Sequence, residues 1–138
     1  MRQSWRIGQI RNPHVVWTVM GAYAATFDEE RTWILALDVH GYLRAEPQQI
    51  AQGGASYVVV DLPSTFRRTI ALGSSFFVLT HNHPTGSAWP SHADWVLTHD
   101  VAEQGAQMQL LLLDHVVLGL NEYYSFREQK LWRLSPVK

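Results

Sequence analysis

Short apolar blocks separated by Gly, Pro and capping residues run the length of the chain, and their periods predict strands alternating with helices. Asn12 followed by Pro13 is a helix start, with Asn12 as N-cap and Pro13 at the first helical position, leading into the apolar stretch from Val15 to Phe27. Thr32 to Asp38, with Trp33, Ile34, Leu35 and Leu37, has the bounded look of a buried strand. His40-Gly41 reads as a turn, and Gly41 is free to take the positive φ of a tight reversal. A second strand is predicted from Tyr42 to about Ala45, and a third from Ser56 to Val60. Asp61-Leu62-Pro63-Ser64 opens a second helix that runs to about Leu72 and ends near Gly73. Ser75 to Thr80 is β-rich and reads as a central strand running straight into His81. Pro84 to Pro90 is a loop. Ser91, with Asp94 three residues on, resembles the capped start of a helix lasting to about Gln104, where Gly105 stops it. Met108 to Leu113 and Val116 to Leu118 read as two further strands, and Tyr123-Tyr124-Ser125-Phe126 lies in a short amphipathic tail. Mixed strands with about three helices make an α/β sandwich, α+β in the looser sense.

Composition narrows this pattern without changing it. At 138 residues and 46% hydrophobic the chain suits one domain, 1–138, with a core of ordinary size. Eleven Lys and Arg against twelve Asp and Glu leave no basic field to draw in a polyanion, so charge does not support nucleic acid as a partner. No cysteine is present, which removes disulfides, thiolate ligands and a thiol nucleophile, and any metal site must use His, Asp or Glu. Val15 to Phe27 is too short to span a bilayer. The polar lead from Arg2 to His14 and the Asn12-Pro13 helix start argue against a cleaved leader, so a cytoplasmic location is expected.

The chemistry sits behind the central strand. His81-Asn82-His83, seven residues, Ser91, two residues and Asp94 form a His-x-His, x7, Ser-x-x-Asp signature. Side chains alternate along a strand, so two His two positions apart share one side. A loop then returns the chain to place a carboxylate in the first turn of a helix. Two imidazoles and one carboxylate leave one tetrahedral position open, as catalytic zinc sites do, and water there is acidified toward neutrality. The competing structural interpretation is that both His face solvent at a strand–loop junction while Ser91 and Asp94 only cap a helix.

His81-Asn82-His83-Pro84-Thr85-Gly86, followed by Pro90-Ser91 and Asp94, resembles the JAMM (MPN-plus) metalloprotease fold, and within it the C-terminal domain of the bacterial RadC family. The similarity continues upstream through Leu35-Ala36-Leu37-Asp38 and downstream through Leu112-Leu113-Asp114-His115-Val116-Val117-Leu118-Gly119 and Tyr123 to Glu128, covering about residues 28–132. Thr85 stands where such proteins usually carry Ser, a change that keeps the hydroxyl. The resemblance implies a central mixed β-sheet flanked by about three helices, and a zinc ion on His81, His83 and Asp94. It also implies a glutamate acting on water, and Ser91 donating a hydrogen bond to a developing oxyanion. Aligning the strand that ends at Asp38 places that glutamate at Glu30, with Glu29 adjacent.

The function expected is a zinc-dependent peptidase or isopeptidase with Glu30 as general base and a peptide or protein as substrate. The alternative is a non-catalytic metal-binding module serving protein interaction or DNA repair. His115 either supports the metal ligands from behind or is a plain buried histidine. His92 and His99, seven apart on one helix, are expected to be exposed, and Trp89 and Trp95 to line a substrate groove. An exposed sheet edge in such a domain could pair with a second copy in a homodimer or accept an extended peptide.

Overall fold

The near-continuous apolar blocks in the middle of the chain need cover on both faces of a sheet, and that need organises the architecture. A computed structural model describes residues 8–53 and 60–134. Along them run α1 (Pro13–Ala24), β1 (Arg31–Leu37), β2 (Gln48–Gln52), α2 (Leu62–Ala71), β3 (Phe76–Asn82), α3 (His92–Gln107), β4 (Leu111–Leu118), β5 (Glu122–Ser125) and β6 (Lys130–Arg133). The strands make one six-stranded sheet in the order β2-β1-β3-β4-β5-β6. It is mixed: β3 and β4 pair parallel and the other neighbours antiparallel. A parallel pair cannot be joined by a tight turn, and α3 is the crossover that joins this one. The result is the α+β arrangement expected, a mixed sheet flanked by three helices.

Alternation along β3 sorts its side chains between two cores. Val78 faces α1, where Val16, Met20 and Ala24 pack on Trp33, Leu35, Leu37, Val116 and Leu118. Phe77 and Leu79 face the other way, toward Phe66 of α2 and Val101 of α3, with Ile34, Ala36 and Leu110. Each fully buried Leu, Ile or Phe in these layers contributes about 1.5–3 kcal/mol relative to exposure. His81 continues the α2/α3 side of β3 and Asn82 the α1 side. The helices start as their caps dictate: Asn12 accepts from the Val15 N–H, Asp61 from the Ser64 N–H and Ser91 from the Asp94 N–H.

Several expectations need correction. The strand beside β1 is not Tyr42 to Ala45, which contributes a single bridge between Leu37 and Leu43, but Gln48–Gln52. That segment lies at the sheet edge, half exposed, so it carries no apolar alternation to betray it. The expected strand at 56–60 falls outside the described residues except for residue 60, which is not in a strand. Gly105 does not stop α3, which continues to Gln107; a Cβ at Gly105 would sit 2.7 Å from the Leu110 carbonyl oxygen, so the glycine serves a close approach. Leu111–Leu118 is one strand rather than two. Asp114-His115 looks like a turn but lies mid-strand, where the register slips between Phe77 and Val78 and leaves Leu113 as a bulge. The expected tail is the β5–β6 hairpin.

Candidate metal centre

Three separate segments meet at the end of β3. Thr32 pairs with His81 across β1 and β3, so the residues just before β1 lie beside the His-x-His turn. The N-terminus of α3 arrives from the far side of the Pro84–Pro90 loop. Ligand atoms of Glu30, His81, His83 and Asp94 all lie within 4.8 Å of one another. His81 Nε2 is 2.9 Å from His83 Nε2 and 3.3 Å from Asp94 Oδ2, while His83 Nε2 is 3.2 Å from the same oxygen. Glu30 Oε1 stands 3.6 Å from His81 Nε2.

Each side chain is held from behind. The Ser91 hydroxyl accepts from the Asp94 N–H at 3.1 Å, and the Asp94 carboxylate accepts from the Ser91 N–H at 2.9 Å, a reciprocal capping box. Asp94 is therefore a helix cap and a member of the cluster through one oxygen, Oδ2. His83 Nδ1 lies 2.8 Å from the Ser87 carbonyl oxygen, an acceptor only, so Nδ1 carries the proton. In the neutral ring this leaves a lone pair on His83 Nε2, directed at the cluster. His81 Nδ1 is likewise engaged, 2.7 Å from His115 Nε2.

Glu29 and Glu30 part company. Glu29 Oε1 accepts from Arg31 Nη2 at 3.0 Å and from Gln52 Nε2, and is held on β1 and β2 away from the histidines. Glu30 faces them. The bracket around Glu30 is Asn82, whose side chain donates to the Glu29 carbonyl at 3.1 Å and accepts from the Arg31 N–H at 2.7 Å. Asn82 thus clamps the backbone on both sides of Glu30 from the opposite face of β3. Sequence reasoning passed over it, although as the middle residue of His-x-His it had to point away from the ligands.

Burial separates the four. The His81 side chain is 2% exposed, Asp94 10% and His83 15%, against 34% for Glu30. Burial alone pushes the Asp94 carboxyl up, but the two imidazoles and the Ser91 N–H outweigh it and hold the group below the usual carboxylate range. For His83 burial pulls down, yet Asp94, the Ser87 carbonyl and the charge of Glu30 together raise its pKa above 6.5. A site built of acceptors takes a proton readily when no other cation is there. The same convergence fits a metal ion: two imidazole nitrogens and two carboxylates come together, and this donor set suits a borderline-soft divalent cation.

The remaining residues flagged in the sequence lie around this centre. Ser91 enters through its cap rather than through the cluster. His115 is fully buried behind His81, its ring stacked on Phe126 at 4.5 Å between centroids and 9° between planes. Burial holds its pKa well below 6.5. Trp89 and Trp95, 57% and 42% exposed, pack against Tyr124, and Trp95 also against Phe126. His92 and His99 are exposed on α3, outside the cluster. No helix among the described residues is long and apolar enough to cross a membrane.

Comparison with known proteins agrees with this architecture. A sequence profile described as the RadC-like JAB domain matches residues 10–131, so α1 belongs to the matched region, which begins earlier than residue 28. A UPF0758 protein of Roseiflexus castenholzii is 30% identical over 128 residues, which make up 93% of this chain and 54% of that relative. A UPF0758 protein of Thermosynechococcus vestitus is 33% identical over 128 residues, 92% of this chain and 51% of the relative. The chain spans about half the length of the curated relatives it matches.

Proposed function

This chain belongs to the RadC-like JAB domain family, within the JAMM/MPN superfamily, and from that premise we propose that it is a zinc-dependent metallohydrolase cleaving amide bonds of a peptide or isopeptide. The observation that carries the proposal is the convergence of His81, His83 and Asp94, three well-buried acceptors, beside one half-exposed carboxylate, Glu30. His81, His83 and Asp94 would hold the ion. When bound, zinc supplies Lewis acidity toward a substrate carbonyl and lowers the pKa of water beside it.

The protein's own groups divide the remaining work. Glu30 has the exposure that a proton carrier needs and the buried ligands lack. Its Oε1 can take a proton from the attacking water and return it to the leaving amine. Asn82 keeps Glu30 in place through the bonds on either side of it. The Ser91 hydroxyl accepts from the Asp94 N–H, so its own proton is left to be donated to the oxygen of a carbonyl under attack.

Protein purified without a chelating tag is expected to contain about one zinc per chain, in line with a single catalytic site, and Asp94→Ala to contain none. Screening the zinc form against peptide and isopeptide libraries by mass spectrometry should then yield cleavage. Glu30→Gln should keep the zinc and lose about 100-fold or more in turnover, the usual worth of a general base. A wild-type protein that takes up no zinc even when it is added would end the proposal. Full turnover by Glu30→Gln would remove Glu30 as the base.

A further inference from the structure

Behind His81 lies a chain of hydrogen bonds whose polarity is dictated by its far end. Thr98 Oγ1 is 2.6 Å from the carbonyl oxygen of Asp94, one turn earlier in α3, and 2.5 Å from His115 Nδ1. A carbonyl can only accept, so the single hydroxyl proton of Thr98 goes to Asp94. The hydroxyl must then accept from His115, which puts the His115 proton on Nδ1 and leaves a lone pair on Nε2. His81 Nδ1, 2.7 Å from that lone pair, has to donate. Its own proton is thereby placed on Nδ1, and Nε2 presents a lone pair to His83, Asp94 and Glu30. Reversing any one of these bonds behind His81 would set two lone pairs or two protons against each other where His115 and His81 are 0% and 1% exposed. On the cluster side the bare Nε2 faces the acceptors His83 Nε2 and Asp94 Oδ2, so the relay holds His81 against a competing pull that a bound cation relieves.

The relay has the fold behind it. Leu79 pairs with His115 and His81 with Val117 across β3 and β4, so His81 and His115 are diagonal neighbours on the face that α3 covers. The bulge at Leu113 sets which residues of β4 share that face. Phe126, stacked flat on the His115 ring, opposes its rotation. The circuit closes on itself, because the residue whose carbonyl starts it, Asp94, is the one whose carboxylate faces His81 at the other end.

Resting on the metal-site reading above, we infer that Thr98 and His115 are positioning residues that fix His81 in the Nδ1–H tautomer and so hold the centre ready for a cation. The sequence leaves His115 between a support of the metal ligands and a plain buried histidine, and gives Thr98 no mark at all.

The test reads tautomer and affinity separately. Long-range proton–nitrogen NMR on metal-free protein at mildly alkaline pH should show His81 with a protonated Nδ1 and a bare Nε2. In Thr98→Val, which keeps shape but loses the hydroxyl, His81 should populate the other tautomer, and zinc affinity by chelator competition should fall about 10- to 100-fold. Thr98→Ser should restore both, and His115→Phe should lose affinity as Thr98→Val does. A wild-type His81 carrying its proton on Nε2, or a Thr98→Val variant with wild-type tautomer and affinity, would overturn the inference. Should the wild type bind no zinc at all, the metal-site reading and the affinity consequence fall together, whereas the tautomer of His81 still decides whether the relay exists.

Discussion

Asp94 joins secondary structure to chemistry on a single carboxylate, since the oxygen that accepts from the Ser91 N–H is also the one facing both histidines. Single residues of this kind make the sharpest tests. Asp114 is another: on the far face of β4 it accepts from the His115 and Arg127 N–H groups and from the Ser125 hydroxyl. Burial raises its pKa even so. Asp114→Ala would leave three donors without their acceptor and is expected to cost about 2–4 kcal/mol in urea unfolding. His83 sets the pH response. Its pKa is raised in the metal-free fold, so protonated His83 stabilises that fold fully below pH 6.5, and the contribution is lost as pH rises through the folded-state value. A metal must displace that proton. Zinc affinity is therefore expected to be flat above the raised pKa and to fall about tenfold per pH unit for each proton displaced below it, measured by competition titration across pH 5–8.

At the scale of elements, two glycines mark places where backbones approach too closely for a side chain. A Cβ on Gly105 of α3 would meet the Leu110 carbonyl oxygen at 2.7 Å, with rings of Phe66 and Phe77 3.5 Å away. Gly105→Ala is expected to lower stability by about 1–3 kcal/mol, the range for overpacking, with little effect on zinc affinity. Gly119 opens the turn between β4 and β5, and there a Cβ would run into the Gly86 carbonyl and approach the Ala88 nitrogen to 2.8 Å. Those residues belong to the loop whose Ser87 carbonyl fixes the His83 proton. Gly119→Ala should thus weaken zinc binding as well as the fold, and chelator competition beside thermal unfolding distinguishes it from Gly105→Ala. A Gly119→Ala protein with lowered melting temperature and unchanged affinity would show that the loop and the site are not coupled.

For the molecule as a whole, a cation held by the residues at the start of β1, the end of β3 and the first turn of α3 would tie together segments far apart in the chain. Zinc in hundredfold excess over its Kd is expected to stabilise the fold by about 2.7 kcal/mol, seen as a raised melting temperature that Asp94→Ala does not share. Much of this was already written in the chain. The caps at Asn12, Asp61 and Ser91 and the apolar blocks of β1 and β3 are local signals, and local signals depend on neighbours within a turn or a strand. The spacing of His81, His83 and Asp94 is local in the same sense: a strand end, a loop and a helix start. Tertiary structure decided the rest. Gln48–Gln52 became a strand because β1 offered an open edge, and Asp114-His115 stayed within β4 because a bulge and three donors accommodate the carboxylate. The relay from Thr98 through His115 to His81 needs a helix packed over two parallel strands, and the placing of Glu30 rather than Glu29 beside the histidines involves Asn82, Arg31 and Gln52 from three strands. Periodicity and capping report what a residue does to its own segment, whereas which proton sits on which nitrogen depends on partners that only the folded sheet brings within 3 Å.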